Sequence, residues 1–181
     1  MIALASLGEE LALLPHCRAF VAHWERWRQG NPVPRRGDVR PEELQSGMHA
    51  SLILEVETRE RAIFRVAPSA IESRIGHSRR GVNFIDAGTP EGREERMNRL
   101  WNAVQVPCGT LTRNTSLLAD GRVLRYTTLL LPVTWRPEAP PRLLYGSVDM
   151  HEDAGWLETS RIVSSPTPSD CTYIDIGFGG P

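Results

Sequence analysis

Two long β-rich runs joined by Asp-Gly constrain this chain more than any other feature. "GTLTRNTSLL" ends at Leu118, "RVLRYTTLLLPV" begins at Arg122, and Ala119-Asp120-Gly121 lies between them. Asp-Gly between such runs is a strong hairpin signal, because both residues tolerate the positive φ that tight turns demand. An antiparallel pair is therefore expected. "SLILEVE" and "AIFRVA", joined by "TRER", read as a second hairpin, and "RLLYGSVDM" as a fifth strand.

Helical signals separate and precede these strands. Ser6 with Glu9, and Ser69 with Glu72, have capping-box spacing. The second box opens a short helix expected to stop at Gly76. Thr89-Pro90-Glu91 opens a longer one, with Met97, Leu100, Trp101 and Val104 at i, i+3, i+4 and i+7 on one apolar face, ended by Pro107 and Gly109. Glu91, Glu94 and Glu95 stand among Arg93, Arg96 and Arg99, which reads as a solvated face laced with ion pairs. Near the N-terminus Pro15 restarts a helix whose Phe20, Val21, Trp24 and Trp27 form one stripe, with Gly30 as the stop. This order predicts an α+β fold: a five-stranded antiparallel sheet with helices on one face and an N-terminal amphipathic helix. The expected division is a helical extension and connector over 1–37, a core domain over 38–150, and a Ser/Pro/Gly-rich tail over 151–181. The tail is expected to have little structure of its own, although Trp156 and "CTYIDIGF" could dock on the rest.

Composition excludes several functions. The 181 residues are 40% hydrophobic and 24% charged, enough for one core, and the formal net charge of −1 gives no electrostatic case for nucleic acid. No run reaches transmembrane length, and Glu9-Glu10 interrupt the apolar start, so neither membrane insertion nor a signal peptide is expected. Cys17, Cys108 and Cys171 are odd in number and widely spaced, which fits reduced thiols in a cytoplasmic protein. His16, His23, His49, His77 and His151 form no HExxH, and no GxSxG occurs. Gly76 and Gly81 have P-loop spacing, but Val82 and Asn83 follow where Lys and Ser or Thr are required. The pair instead reads as the two ends of a turn, with "HSRR" facing solvent. No catalytic or metal-binding residue is assigned.

Taken in order, Trp24, Pro34-Arg35, Asp38, Pro41, Leu44, Gly76, Gly81, Phe84, Asp120-Gly121-Arg122 and Leu130-Leu131-Pro132 resemble the fifth PAS subfamily of small bacterial proteins. The likeness runs from about Phe20 to Met150; Pro68-Ser69 departs from it, standing where the family often has Gly-Thr. The resemblance implies a PAS-like sheet and a sensory or regulatory, non-enzymatic module. It would act through protein contacts with an unidentified signalling protein and be tuned by a small ligand; the alternative is an adaptor with a filled core. Phe64, Ile71, Phe84, Leu100, Val104 and Tyr126 are expected between sheet and helices, either lining a ligand space or filling the core. Neither haem nor flavin is expected: residues 90–106 contain no histidine, and Cys108 follows the helix instead of standing near its region's start. A leading helix in PAS proteins often packs on a second copy, so a homodimer through Phe20, Val21, Trp24 and Trp27 is expected, the other option being that the helix folds back on its own sheet.

Overall fold

The computed structural model describes every residue except 137–139, 152–159, 166, 167 and 169, and the side chain of Ser46. The five expected strands are present as β2 (Ser51–Thr58), β3 (Arg61–Val66), β4 (Cys108–Leu118), β5 (Val123–Val133) and β6 (Leu143–Met150). They pair antiparallel in the order β4-β5-β6-β2-β3. The β4–β5 hairpin runs in register from Thr110 opposite Leu130 to Leu117 opposite Val123. Asp120 closes it by accepting from the Arg122 backbone N–H at 3.0 Å and from its guanidinium at 2.8 and 3.1 Å.

Three more strands extend the sheet beyond five. β1 (Ile2–Ala3), β7 (Ile162–Ser164) and β8 (Asp170–Asp175) gather on the free side of β4. β8 pairs antiparallel with Cys108–Arg113, β7 with Leu117 and Leu118, and β1 parallel with β8. The expectation of a tail with little structure is corrected here. A bare β4 edge would leave a row of backbone donors and acceptors unpaired, and β8 satisfies them while burying Ile174 and Ile176. The expected docking of Trp156 lies outside the described residues.

Alternation along the central strands splits the core in two. Leu111, Leu129, Leu131, Val133, Leu143, Tyr145 and Ile174 point to one face. Leu52, Leu54, Val56, Cys108, Leu130, Leu144 and Val148 point to the other. The second face is covered by a 3-10 turn at Phe84–Asp86 and α4 (Arg93–Gln105), while α3 (Ser69–Ile75) stands off it across a space that Phe64 and Tyr126 also line. Met97, Leu100 and Val104 of α4 are buried as their spacing requires. The Ser69 box does not form: Pro68 is the N-cap residue, and Ser69, already inside the helix, reaches the His49 carbonyl instead.

The first face is covered by α1 (Leu7–Glu10) and α2 (Pro15–Trp27). The expected dimer stripe is thereby used within the chain. Phe20, Trp24 and Trp27 are 1%, 0% and 3% exposed, and Val21 is half-buried against the same cluster. The Trp24 indole donates to the Pro132 carbonyl at 3.0 Å and that of Trp27 to Glu43 at 3.0 Å. The helix thus folds back on its own sheet, the other option its sequence left open, and only Val21 of the four keeps part of its surface. Asp149 of β6 fixes the start of α2: its two carboxylate oxygens accept the backbone N–H groups of His16 and Cys17 at 3.1 and 2.7 Å. These donors have no partner within the helix, so a buried acid 132 residues away serves as its cap.

Candidate ligand cavity

Gly76 ends α3 in the left-handed conformation, φ +83°, and Gly81 repeats it five residues on. Between them the chain doubles back, and the Gly81 N–H and Val82 carbonyl pair with Phe64 of β3 at 2.8 and 3.1 Å. The turn reading of the two glycines therefore describes the geometry. Within it His77, Ser78 and Arg80 are exposed, whereas Arg79 is half-buried and turned toward the sheet. The reading of "HSRR" as wholly solvent-facing is corrected at that one residue.

This loop, α3, α4 and the sheet border a partly open cavity of ≈ 110 Å³. Four of the six expected residues line it: Phe64, Ile71, Phe84 and Tyr126. Leu100 and Val104 do not reach it; they are buried in the core beneath, where α4 meets the sheet. A wall comes from the C-terminal segment, where Ile162, Ser165 and Pro168 close one side. That wall is tied on both flanks, since Ala119 donates to the Arg161 carbonyl at 2.8 Å and Thr89 to the Ser165 carbonyl at 3.2 Å.

The cavity is apolar apart from one polar pole. Tyr126 sits where Ser116 and Ser165 meet, their hydroxyls 2.8 Å apart, and burial pushes the Tyr126 phenol upward. Asn114 donates to Thr128 at 3.2 Å and to the Thr112 carbonyl at 3.0 Å. Arg79, Arg96 and Arg99 complete the pole. Arg96 and Arg99 correct the reading of the α4 charges as a solvated face, because the two are only 5% and 4% exposed. A signal for this was present. Each stands four residues before a core position, Leu100 and Ala103, so their stems lie one turn from the apolar stripe.

Two of the three thiols, Cys108 and Cys17, are held unreactive by their surroundings. Cys108 is fully buried on β4, and burial first, then its acidic and thiol neighbours, push it up to about 11, the opposite of a reactive thiolate. Cys17 is likewise raised by burial and by the Asp149 charge. Among the described residues no cluster of three or more His, Cys, Asp or Glu could hold a metal, and no helix is long and apolar enough to cross a membrane.

No curated protein matches the chain significantly. Among solved structures it is similar to the Rhodobacter sphaeroides LOV protein, at 16% identity and a TM-score of 0.44, over 59% of this chain and 61% of that one. A point variant of RsLOV gives 16% identity and a TM-score of 0.43, over 59% and 62%. The chain thus spans less than two thirds of these neighbours' length. The family model of the fifth PAS subfamily, described as a PAS domain, matches residues 14–148. That span contains α2, α3, α4 and the β4-β5-β6-β2-β3 sheet up to Val148 of β6, and the chain belongs to the PAS domain family.

Proposed function

We propose that this protein is a non-enzymatic sensory module whose signal is a small molecule held between the helical layer and the sheet. The observation that carries the reading is the cavity itself: ≈ 110 Å³, walled by Phe64, Ile71, Phe84 and Tyr126, with convergent polar groups at one end. Binding sites combine an apolar lining with a few placed polar groups in this way.

The path out of the site supports the same reading. Tyr126 faces the cavity, and its neighbour Thr127 faces the opposite side of the sheet. Thr127 pairs in register with Asp149, and Asp149 holds the first turn of α2. Displacement of β5 or β6 by a ligand would reach α2 through that carboxylate, and α2 would pass the change to a signalling protein. Native mass spectrometry of protein purified from its own host should show a bound small molecule. Ala67→Leu, which pushes a larger side chain into the cavity, should remove it while the fold survives. If native protein carries no added mass and no compound from a small-molecule library raises its melting temperature, the sensory reading fails and a filled-core adaptor replaces it.

A further inference from the structure

We infer that the cavity selects a small carboxylate, bound at its anionic end by Arg99 and Arg96 and packed at its apolar end against Phe64, Ile71 and Phe84. This rests on the sensory reading above and narrows it to a ligand class.

The argument starts from an incomplete hydrogen-bond inventory. Arg99 is 4% exposed, and its Nη1 donates to both oxygens of Glu95 at 2.9 and 3.1 Å. Its Nε–H is buried and meets no acceptor. A buried cationic donor left without a partner is costly, and native structures rarely keep one that nothing fills. The half-buried Cys171 thiol lies against the same guanidinium but is a weak acceptor. Arg96 gives a second mismatch: its Nε and Nη2 donate to the Ile85 and Thr89 carbonyls at 2.9 and 2.7 Å, which are neutral acceptors. Burial and the neighbouring Arg99 charge both push its guanidinium down. Among the described residues no ion pair engages Arg96 or Arg79, so three guanidinium groups line the cavity, and the carboxylates that act on Arg96, Glu95 and Asp86, are already paired with Arg99 and Arg93.

An anion is what such a pole lacks. A planar carboxylate matches the guanidinium fork and adds the charge that Glu95 supplies only once. The walls decide the rest of the ligand. Apart from the pole they are Phe, Ile, Ala and Pro, which reward an apolar body and give a free inorganic anion nothing to pack against. The volume holds the body to about a single ring or a short chain.

The test compares benzoate with neutral benzamide, which has nearly the same shape, by calorimetry on the full chain at neutral pH. Benzoate is expected to bind at least about tenfold more tightly. Arg99→Met should abolish that preference while benzamide affinity stays at the wild-type value, which also shows that the cavity is intact. If benzamide binds wild type as well as benzoate does, the carboxylate inference is overturned and the cavity reading stands. If inorganic phosphate displaces benzoate at equal concentration, the ligand class is overturned. If neither benzoate nor benzamide binds, and hexanoate and hexanamide fail as well, the cavity reading falls together with the inference. Should Arg99→Met not fold, Arg99→Lys carries the test: a compact ammonium must weaken benzoate and spare benzamide, and equal weakening of both would overturn the inference.

Discussion

At the scale of single residues, the tightest constraints are local and electrostatic. The Arg122 side chain and backbone both donate to Asp120, and this holds its carboxyl well below the usual carboxylate range. A depressed folded-state pKa means the stabilisation is complete above the unfolded value, near about 4, and is lost as pH falls through the folded value. Asp120→Asn should therefore melt lower than wild type at pH 7, and the gap should narrow as pH drops below about 4 in a series of thermal scans. Gly146 constrains space instead of charge. A Cβ there would collide with the Leu129 carbonyl oxygen and come within 2.8 Å of Leu130 Cδ2. Backbone cannot yield as a side-chain tip can, so Gly146→Ala should cost about 3 kcal/mol in urea unfolding.

At the scale of elements, α2 is the piece whose role changed most between sequence and structure. Its apolar stripe is real, and its partner is its own sheet. Trp24→Ala should accordingly destabilise the fold by about 3–5 kcal/mol, through the lost contacts and an orphaned Pro132 carbonyl. Chemical denaturation measures that loss. Sedimentation at several concentrations should show the oligomeric state of the folded fraction unchanged; a shift to monomer with stability intact would restore the interface reading. Asp149→Ala acts on the same element from its other end. Removing a cap with two charge-assisted bonds should cost about 2 kcal/mol. Amide exchange should accelerate first in α2 and not in α4, because only α2 depends on that carboxylate.

At the scale of the molecule, the last twenty residues complete both the sheet and the site. β7 and β8 cover the β4 edge, and Ile162, Ser165 and Pro168 wall the cavity. A chain ending at residue 160 should lose ligand binding and expose Leu111, Leu118 and the β4 edge together. An apolar dye should bind the truncated protein strongly and the intact protein weakly. A truncated protein with unchanged melting and no dye binding would show that β8 is an accessory instead of a structural strand.

Local chemistry was enough to specify the five central strands, the Asp-Gly hairpin, the glycine-bounded turn and the buried face of α4. Each of these follows from a period, a turn residue or a cap acting over a few neighbouring positions. Four of the six residues expected between sheet and helices line the cavity, and they were legible through the family resemblance and not through periodicity, since Phe84 lies on a 3-10 turn and β3 buries Ala62, Ile63 and Phe64 without alternation. The rest depended on contacts between distant parts of the chain. Which surface takes the Trp24 and Trp27 stripe is a choice between equally apolar partners, and only the packed sheet beneath α2 makes it. That the Asp170–Asp175 run forms a strand depends on an open β4 edge about sixty residues earlier in the chain. Arg96 and Arg99 look like surface charges in a sequence, because burying a guanidinium is favourable only where carbonyls and a carboxylate converge on it, and that convergence exists only in the folded molecule.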